Sequence, residues 1–273
     1  TSEPEAGFDP AFGWGAGEHV HEPLIQSTLT VTNADLTIGY DLATDMAVSD
    51  DGLTWTVTIR DDVSFTDGAS LTAEDVAFTY NTVKATSSVN DFTMLSSAEA
   101  IDDTTVVFHM TKPYSIWPYT MAIVGIVPEH AYDSATYGSN PIGSGRYTLV
   151  QWNRGEQIIL EANPDYYGEA PKMKRVTILF MEEDAAFLAV QAGQADLAYT
   201  SATYADQSPA GYGLLSCESV DNRGINLPTE GNPVTADLAI RRAINIGIGR
   251  EEMIQNVLTG YGTPAYSVCV KLP

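Results

Sequence analysis

The segment PIGSGRYTLVQWNRGEQIILEANPDYYG, residues 141–168, limits what this chain can fold into more than any other stretch. Two runs alternate apolar with polar residues, and Asn153-Arg154-Gly155-Glu156 stands between them. A period of two sends successive side chains to opposite faces of a strand. Two such runs around a short Gly-bearing interruption predict a β-hairpin. Tyr147, Leu149 and Gln151 alternate with Thr148, Val150 and Trp152. Ile158, Leu160 and Ala162 share one face of the return strand, which Asn163-Pro164-Asp165 ends. The loop Gly143-Ser144-Gly145 therefore feeds a strand. A phosphate-binding glycine loop feeds a helix, whose N-terminal dipole holds the anion. Thr148 also stands where a GxGxxG pattern needs its third glycine, so the loop argues against a nucleotide site.

The rest of the chain mixes both periods. Thr54–Arg60, TWTVTIR, alternates strictly, with Trp55, Val57 and Ile59 on one side, and follows an Asp51-Gly52 turn. After Asp67-Gly68, the run Thr72-Ala73-Glu74-Asp75 predicts a capping box opening a helix that carries Val76, Tyr80 and Val83. Strands are predicted over 104–110, 176–180 and 196–199, and the apolar run Met121–Val127 is of strand length. Residues 19–29 are expected to form a short helix with Pro23 in its first turn. Acidic residues 182–184 start a further helix that ends near Gly193. Two helices follow, one from Asp237, weakened by Gly247 and Gly249, and one over 250–258. Strands interspersed with helices imply an α/β or α+β chain.

With 273 residues, the length suits about two domains. A 44% apolar fraction is enough to build a core, and no apolar run reaches the length of a membrane span. The chain carries 36 acidic against 13 basic residues, a formal net charge of −23. Nucleic acid and anionic membrane faces need a basic footprint, which this balance denies. Two cysteines, Cys217 and Cys269, are too few for a disulfide framework, and their spacing leaves pairing open.

Chemistry has few candidate carriers. His19, His21 and Glu22 offer two imidazoles and a carboxylate, but Ile25 stands where an HExxH motif needs its second histidine. His19 and His21, two apart, share a side only on extended chain. They are weak metal candidates beside the alternative of a polar loop at a helix start. No nucleophile elbow or Ser/His/Asp spacing is present, and nothing in the sequence demands catalysis. Trp14 lies between Gly13 and Gly15, in a loop too glycine-rich to be core filler.

The motifs fall in a characteristic order. EPLIQSTL is followed by WTVTIRDDVSFTDGASLTAEDVAFTYNTV, PYSIWPY with IVPEH, and the 141–168 hairpin. Then come FLAVQAGQADLAY, GINL and DLAIRRAINIGIGREEMIQNVLTGYGTPA. In this the chain resembles the extracellular solute-binding proteins of the peptide/nickel class of ABC importers, family 5. The resemblance implies a non-catalytic, mixed α/β periplasmic-binding-protein-like lobe of class II with a smaller inserted α+β domain. Residues 1–40 and 138–265 would form the first lobe, 41–137 the insert, and 266–273 the start of a hinge. The family's second lobe normally follows the segment that GYGTPA resembles. The start at Thr1 reads as a mature or trimmed N-terminus and the end at Pro273 as cut, so a fragment without the closing lobe is expected.

The ligand would be a peptide or a nickel chelate, delivered to a membrane permease by a monomer that needs no cofactor. The compartment would be extracytoplasmic, either periplasm or a lipid-anchored position on the outer face. Candidate ligand-binding residues are Trp14, His19, His21, Met94, Arg146 and Arg223. The family usually carries proline or another small residue where Arg146 stands, and often tryptophan at the position of Tyr167. An arginine there can hold a ligand carboxylate bidentately. The alternative is a surface arginine that meets this chain's own acids. A metallohydrolase at His19, His21 and Glu22, or an adhesive surface module, are the competing functions.

Overall fold

A computed structural model describes residues 3–4, 7–13, 24–87, 90–216 and 224–266. The chain divides into two compact units, with the boundary between Phe180 and Met181.

In the first unit, β1 (Thr30–Thr32) and β2 (Ile38–Tyr40) form a small antiparallel pair. Next come β3 (Ala43–Val48), β4 (Thr54–Ile59), helix α1 (Ala73–Thr86), β5 (Leu95–Asp102) and β6 (Thr105–Met110). These strands make an antiparallel sheet in the order β3-β4-β6-β5. The alternation read from TWTVTIR holds: Trp55, Val57 and Ile59 are buried. Across the ladder Trp55 faces Phe108 and Val57 faces Val106, so one face of the sheet is apolar. α1 packs against β5 and β6 and brings Val76, Tyr80 and Val83 into the same core. Tyr80 meets Phe108 edge-on at 4.8 Å, and both pack near Trp117. The predicted capping box forms, with Asp75 Oδ2 accepting from the Thr72 backbone N–H at 2.9 Å.

The helix expected over 19–29 fails here, and the strand-length run Met121–Val127 is shaped by the same cause. Residues 24–29 are bends and extended chain, not helix, and residues 19–23 lie outside the described set. Met121–Val127 is no strand: α2 (Trp117–Met121) ends where the run begins. In both segments the backbone bonds to distant chain. Ser27 O accepts from Ile126 N at 2.9 Å, Thr28 O from Leu42 N at 3.0 Å, and Leu29 O from Ala43 N at 3.0 Å. Val127 N donates to Thr79 Oγ1 at 3.1 Å. Tertiary partners satisfy these groups, leaving neither a helical repeat nor a ladder.

β7 (Tyr147–Asn153), β8 (Gln157–Ala162) and β9 (Arg175–Leu179) then form a three-stranded antiparallel sheet with β8 in the centre. The hairpin turn falls where expected, at residues 153–156, with Gly155 at φ +75. Ile158, Ile159 and Leu160 are all buried, so the central strand is covered on both faces, not one.

The second unit carries α3 (Glu183–Gln191), α4 (Leu238–Gly247) and α5 (Arg250–Val257). α3 opens on acidic residues and is followed by Gly193 at φ +68, as predicted. Asp237 caps α4, its Oδ1 accepting from Ala239 N at 2.7 Å. α4 stops at Gly247, so the two glycines separate the helices, and Gly249 precedes α5. The strand expected over 196–199 is not formed. Leu197 and Tyr199 are 76% and 85% exposed, and no described strand offers the segment a ladder.

Candidate ligand-binding site

The Gly143–Gly145 loop is narrow because another piece of backbone lies against it. A Cβ on Gly143 would stand 2.0 Å from Ile25 O, and one on Gly145 would stand 2.6 Å from Ile25 C. The close approach allows Gly145 N and Tyr147 N to donate to Ile25 O and Leu24 O, each at 2.8 Å. The glycines thus serve main-chain pairing between residues 24–25 and the start of β7.

The exit turn after β8 locks the same place from the other side. Asn163 is buried; its backbone N–H donates to Arg146 O at 2.8 Å and its Nδ2 to Gly145 O at 2.9 Å. Its Oδ1 accepts from Asp165 N at 3.0 Å. Asn163 closes the loop that its neighbours Pro164 and Asp165 begin.

From this frame Arg146 projects to the surface. Its Nε donates to Tyr166 Oη at 3.2 Å, and the guanidinium lies 5.5 Å from the centre of that ring. Tyr166 packs on Tyr167 with centroids 4.6 Å apart. Tyr167 Oη donates to Asp41 Oδ1 at 2.6 Å, and Thr28 N donates to Asp41 Oδ2 at 3.3 Å. Arg60 stands 4.8 Å over the Tyr167 ring and forks onto Asp62 at 2.8 and 2.7 Å. Burial pushes the Asp41 carboxyl above its ordinary pKa, opposed by the Tyr167 and Thr28 hydrogen bonds and by the charges of Arg146 and Arg60. Burial, with the neighbouring Asp41 charge, pushes the Tyr167 phenol up as well. Two guanidiniums, two carboxylates and two phenol rings thus converge from four segments of one unit.

Of the other sequence candidates, the structure describes Met94. Met94 is 5% exposed and packed in the core with Phe92 and Leu95, so its side chain is committed to packing and not to an open floor. Trp14, His19, His21, Glu22 and Arg223 lie outside the described residues, as do Cys217 and Cys269. Among the described residues no group of three or more His, Cys, Asp or Glu could hold a metal ion, and no helix is long and apolar enough to cross a membrane. Sequence reasoning missed Asp41 and Arg60. Each sits in a turn or strand end with no motif of its own, and only the fold brings them to Tyr167.

The family model described as bacterial extracellular solute-binding proteins, family 5 Middle, matches residues 37–272. Protein XP55 of Streptomyces lividans is 33% identical over 282 residues, covering 97% of this chain and 50% of that protein. Among solved structures, NikZ from Campylobacter jejuni in complex with Ni(L-His) superposes with a TM-score of 0.86 at 27% identity, over 97% of this chain and 55% of that one. The oligopeptide-binding protein AppA from Bacillus subtilis, in complex with a nonapeptide, gives 0.71 at 28% identity, over 91% and 53%. The chain spans about half the length of the curated relatives it matches.

Proposed function

The chain belongs to the bacterial extracellular solute-binding proteins of family 5, and from that premise we propose that it captures a small solute outside the cytoplasm for an ABC importer. The solute is a peptide or a nickel chelate, passed to a membrane permease, and no reaction is catalysed. Residues 1–40 and 138–265 belong to one lobe and 41–137 to an inserted subdomain. The four-stranded sheet with α1 falls within the second range, and the β7–β9 sheet within the first. Ligand contacts to two lobes favour a closed state by the difference in affinity between open and closed forms.

The observation that carries this reading is Arg146. A rigid turn holds it at the surface, and its guanidinium rests on Tyr166 beside a second arginine. That arrangement suits a ligand carboxylate, which peptides and histidine chelates both carry. The net charge of −23 works against anionic solutes at long range and favours zwitterions and cations, so a local cationic anchor matters more here. His19, His21, Trp14 and Arg223 remain proposed contacts on sequence grounds. Neither a metallohydrolase at His19, His21 and Glu22 nor an adhesive module has an observation in its favour.

Titration calorimetry on the protein in its natural full length tests the reading, with a nonapeptide and with nickel–L-histidine as probes. Arg146→Ala is expected to weaken the bound probe by about tenfold or more, since a decade corresponds to ~1.4 kcal/mol. Heat with peptides alone ends the chelate assignment, and heat with nickel–histidine alone ends the peptide one. An unchanged affinity in Arg146→Ala removes this residue from the site.

A further inference from the structure

We infer that Asp41, acting through Tyr167, is a positioning residue that holds Arg146 in place for a ligand carboxylate; this rests on the reading of Arg146 above. The contacts form a chain. The Arg146 guanidinium rests on Tyr166, the Tyr166 ring packs on Tyr167, and the Tyr167 hydroxyl is tied to Asp41 at 2.6 Å. Asp41 is in turn anchored at its own backbone, its N–H donating to Leu29 O at 3.1 Å, and at its other oxygen by Thr28 N. The stack therefore ends on a fixed point in the turn between β2 and β3.

A half-buried carboxylate in that position is costly by itself, because removing a charge from water is unfavourable unless it is bonded and paired. An apolar residue would pack Tyr167 without that cost. The carboxylate supplies two things that an apolar residue does not. It accepts the Tyr167 hydroxyl and so sets the tilt of the ring pair, and it places a negative charge facing both Arg146 and Arg60. Arg60 is already held by Asp62 on its own strand end. The Asp41 charge offsets repulsion between the two guanidiniums and adds to the contacts that keep Arg146 in place before a ligand arrives. Preorganisation of this kind raises affinity by removing the cost of ordering the side chain on binding.

The test compares paired probes that differ in one carboxylate, on the full-length protein: a nonapeptide against its C-terminal amide, and nickel–L-histidine against nickel–histamine. Tyr167→Phe keeps the ring and removes the hydroxyl. It is expected to weaken the carboxylate-bearing probe about fivefold or more and to leave its carboxylate-free partner unmoved. Asp41→Ala should do the same, and Asp41→Asn less, because an amide oxygen still accepts the Tyr167 hydroxyl. Adding Tyr167→Phe to Arg146→Ala should cost nothing further, since both act on one contact. A Tyr167→Phe variant that weakens both members of a pair equally, weakens neither, or adds in full to Arg146→Ala overturns the positioning role while leaving Arg146 in the site. If Arg146→Ala itself changes nothing, or if neither probe pair binds, the reading beneath it fails and takes the inference with it. Thermal melts of the two Asp41 variants separate misfolding from mispositioning: a folded Asp41→Ala that keeps full carboxylate discrimination refutes the role even if Tyr167→Phe is unstable.

Discussion

Replacing Gly143 with alanine isolates the main-chain contact on which the site is built. Gly143 does not require a left-handed backbone, so the added methyl acts through space alone. It would meet Ile25 O at 2.0 Å and Ile25 C at 2.7 Å, against an ordinary contact of 3.4 Å or more. The obstacle is backbone, so no side chain can swing aside and the two segments must part by more than 1 Å. That movement breaks Gly145 N–H to Ile25 O and Tyr147 N–H to Leu24 O, both 2.8 Å. It also loosens the small core of Ile25, Tyr147, Ile158 and Leu160. Two hydrogen bonds at about 1 kcal/mol each, with the packing loss, come to about 3 kcal/mol. In a unit of this size that lowers Tm by about 6–12 °C. Gly155→Ala is the contrast. Gly155 has φ +75 with nothing within 4 Å of the added carbon, so its cost is the left-handed conformation alone, about 1–2 kcal/mol. Circular-dichroism melts of both variants beside the parent decide the matter. If Gly143→Ala melts with the parent, or Gly155→Ala melts at or below Gly143→Ala, the close approach of residues 24–25 to the loop does not govern stability.

Two further outcomes follow from buried polar groups. The Tyr80 hydroxyl is fully buried and has no hydrogen-bond partner among the described residues, so Tyr80→Phe should raise the urea midpoint by an amount worth up to about 1 kcal/mol; a fall of similar size would mean the hydroxyl is bonded. Burial holds the Asp9 carboxyl above its ordinary 3.8, against hydrogen bonds from Ala11 N at 2.9 Å and Tyr132 Oη at 3.0 Å. A folded pKa above the unfolded one means that the contribution is complete below the unfolded value and is lost as pH rises through the folded value. Asp9→Asn should therefore gain on the parent between pH 3 and pH 7 in urea midpoints, and a difference constant across that range would contradict the sign.

What the sequence made legible was local. The alternation of Trp55, Val57 and Ile59, the Thr72–Asp75 capping box and the turn at Gly155 each state their own structure within a few residues, and each is found. Segments that depend on distant partners were misread. Residues 24–29 carry a helix-like pattern, yet their carbonyls accept from residues 41, 42, 43, 126, 145 and 147. Nothing local announces those donors. The same holds for Met121–Val127, whose apolar run signals burial correctly but not the loop backbone and Thr79 hydroxyl that satisfy its amides. Burial is written in residue type, whereas hydrogen-bond partnership is written in the fold.

That distinction also explains which part of the site could be read. Arg146 stands out in the sequence because an arginine directly after Gly143-Ser144-Gly145 is an unusual residue at a recognisable place. Asp41 is one of 36 acidic residues and follows Tyr40 at the end of a three-residue strand, with no pattern around it. Its meaning arises only when Tyr167, 126 positions later, brings a hydroxyl to within 2.6 Å. The tyrosine was visible as a departure from the family's frequent tryptophan, and the departure has a physical consequence. In the geometry found here the partner of Asp41 is a hydroxyl at the far end of a six-membered ring, a donor that an indole does not carry. Tyr167→Trp should therefore behave toward the paired probes as Tyr167→Phe does, with carboxylate discrimination reduced. If instead the tryptophan variant keeps full discrimination, the Tyr167 hydroxyl is dispensable.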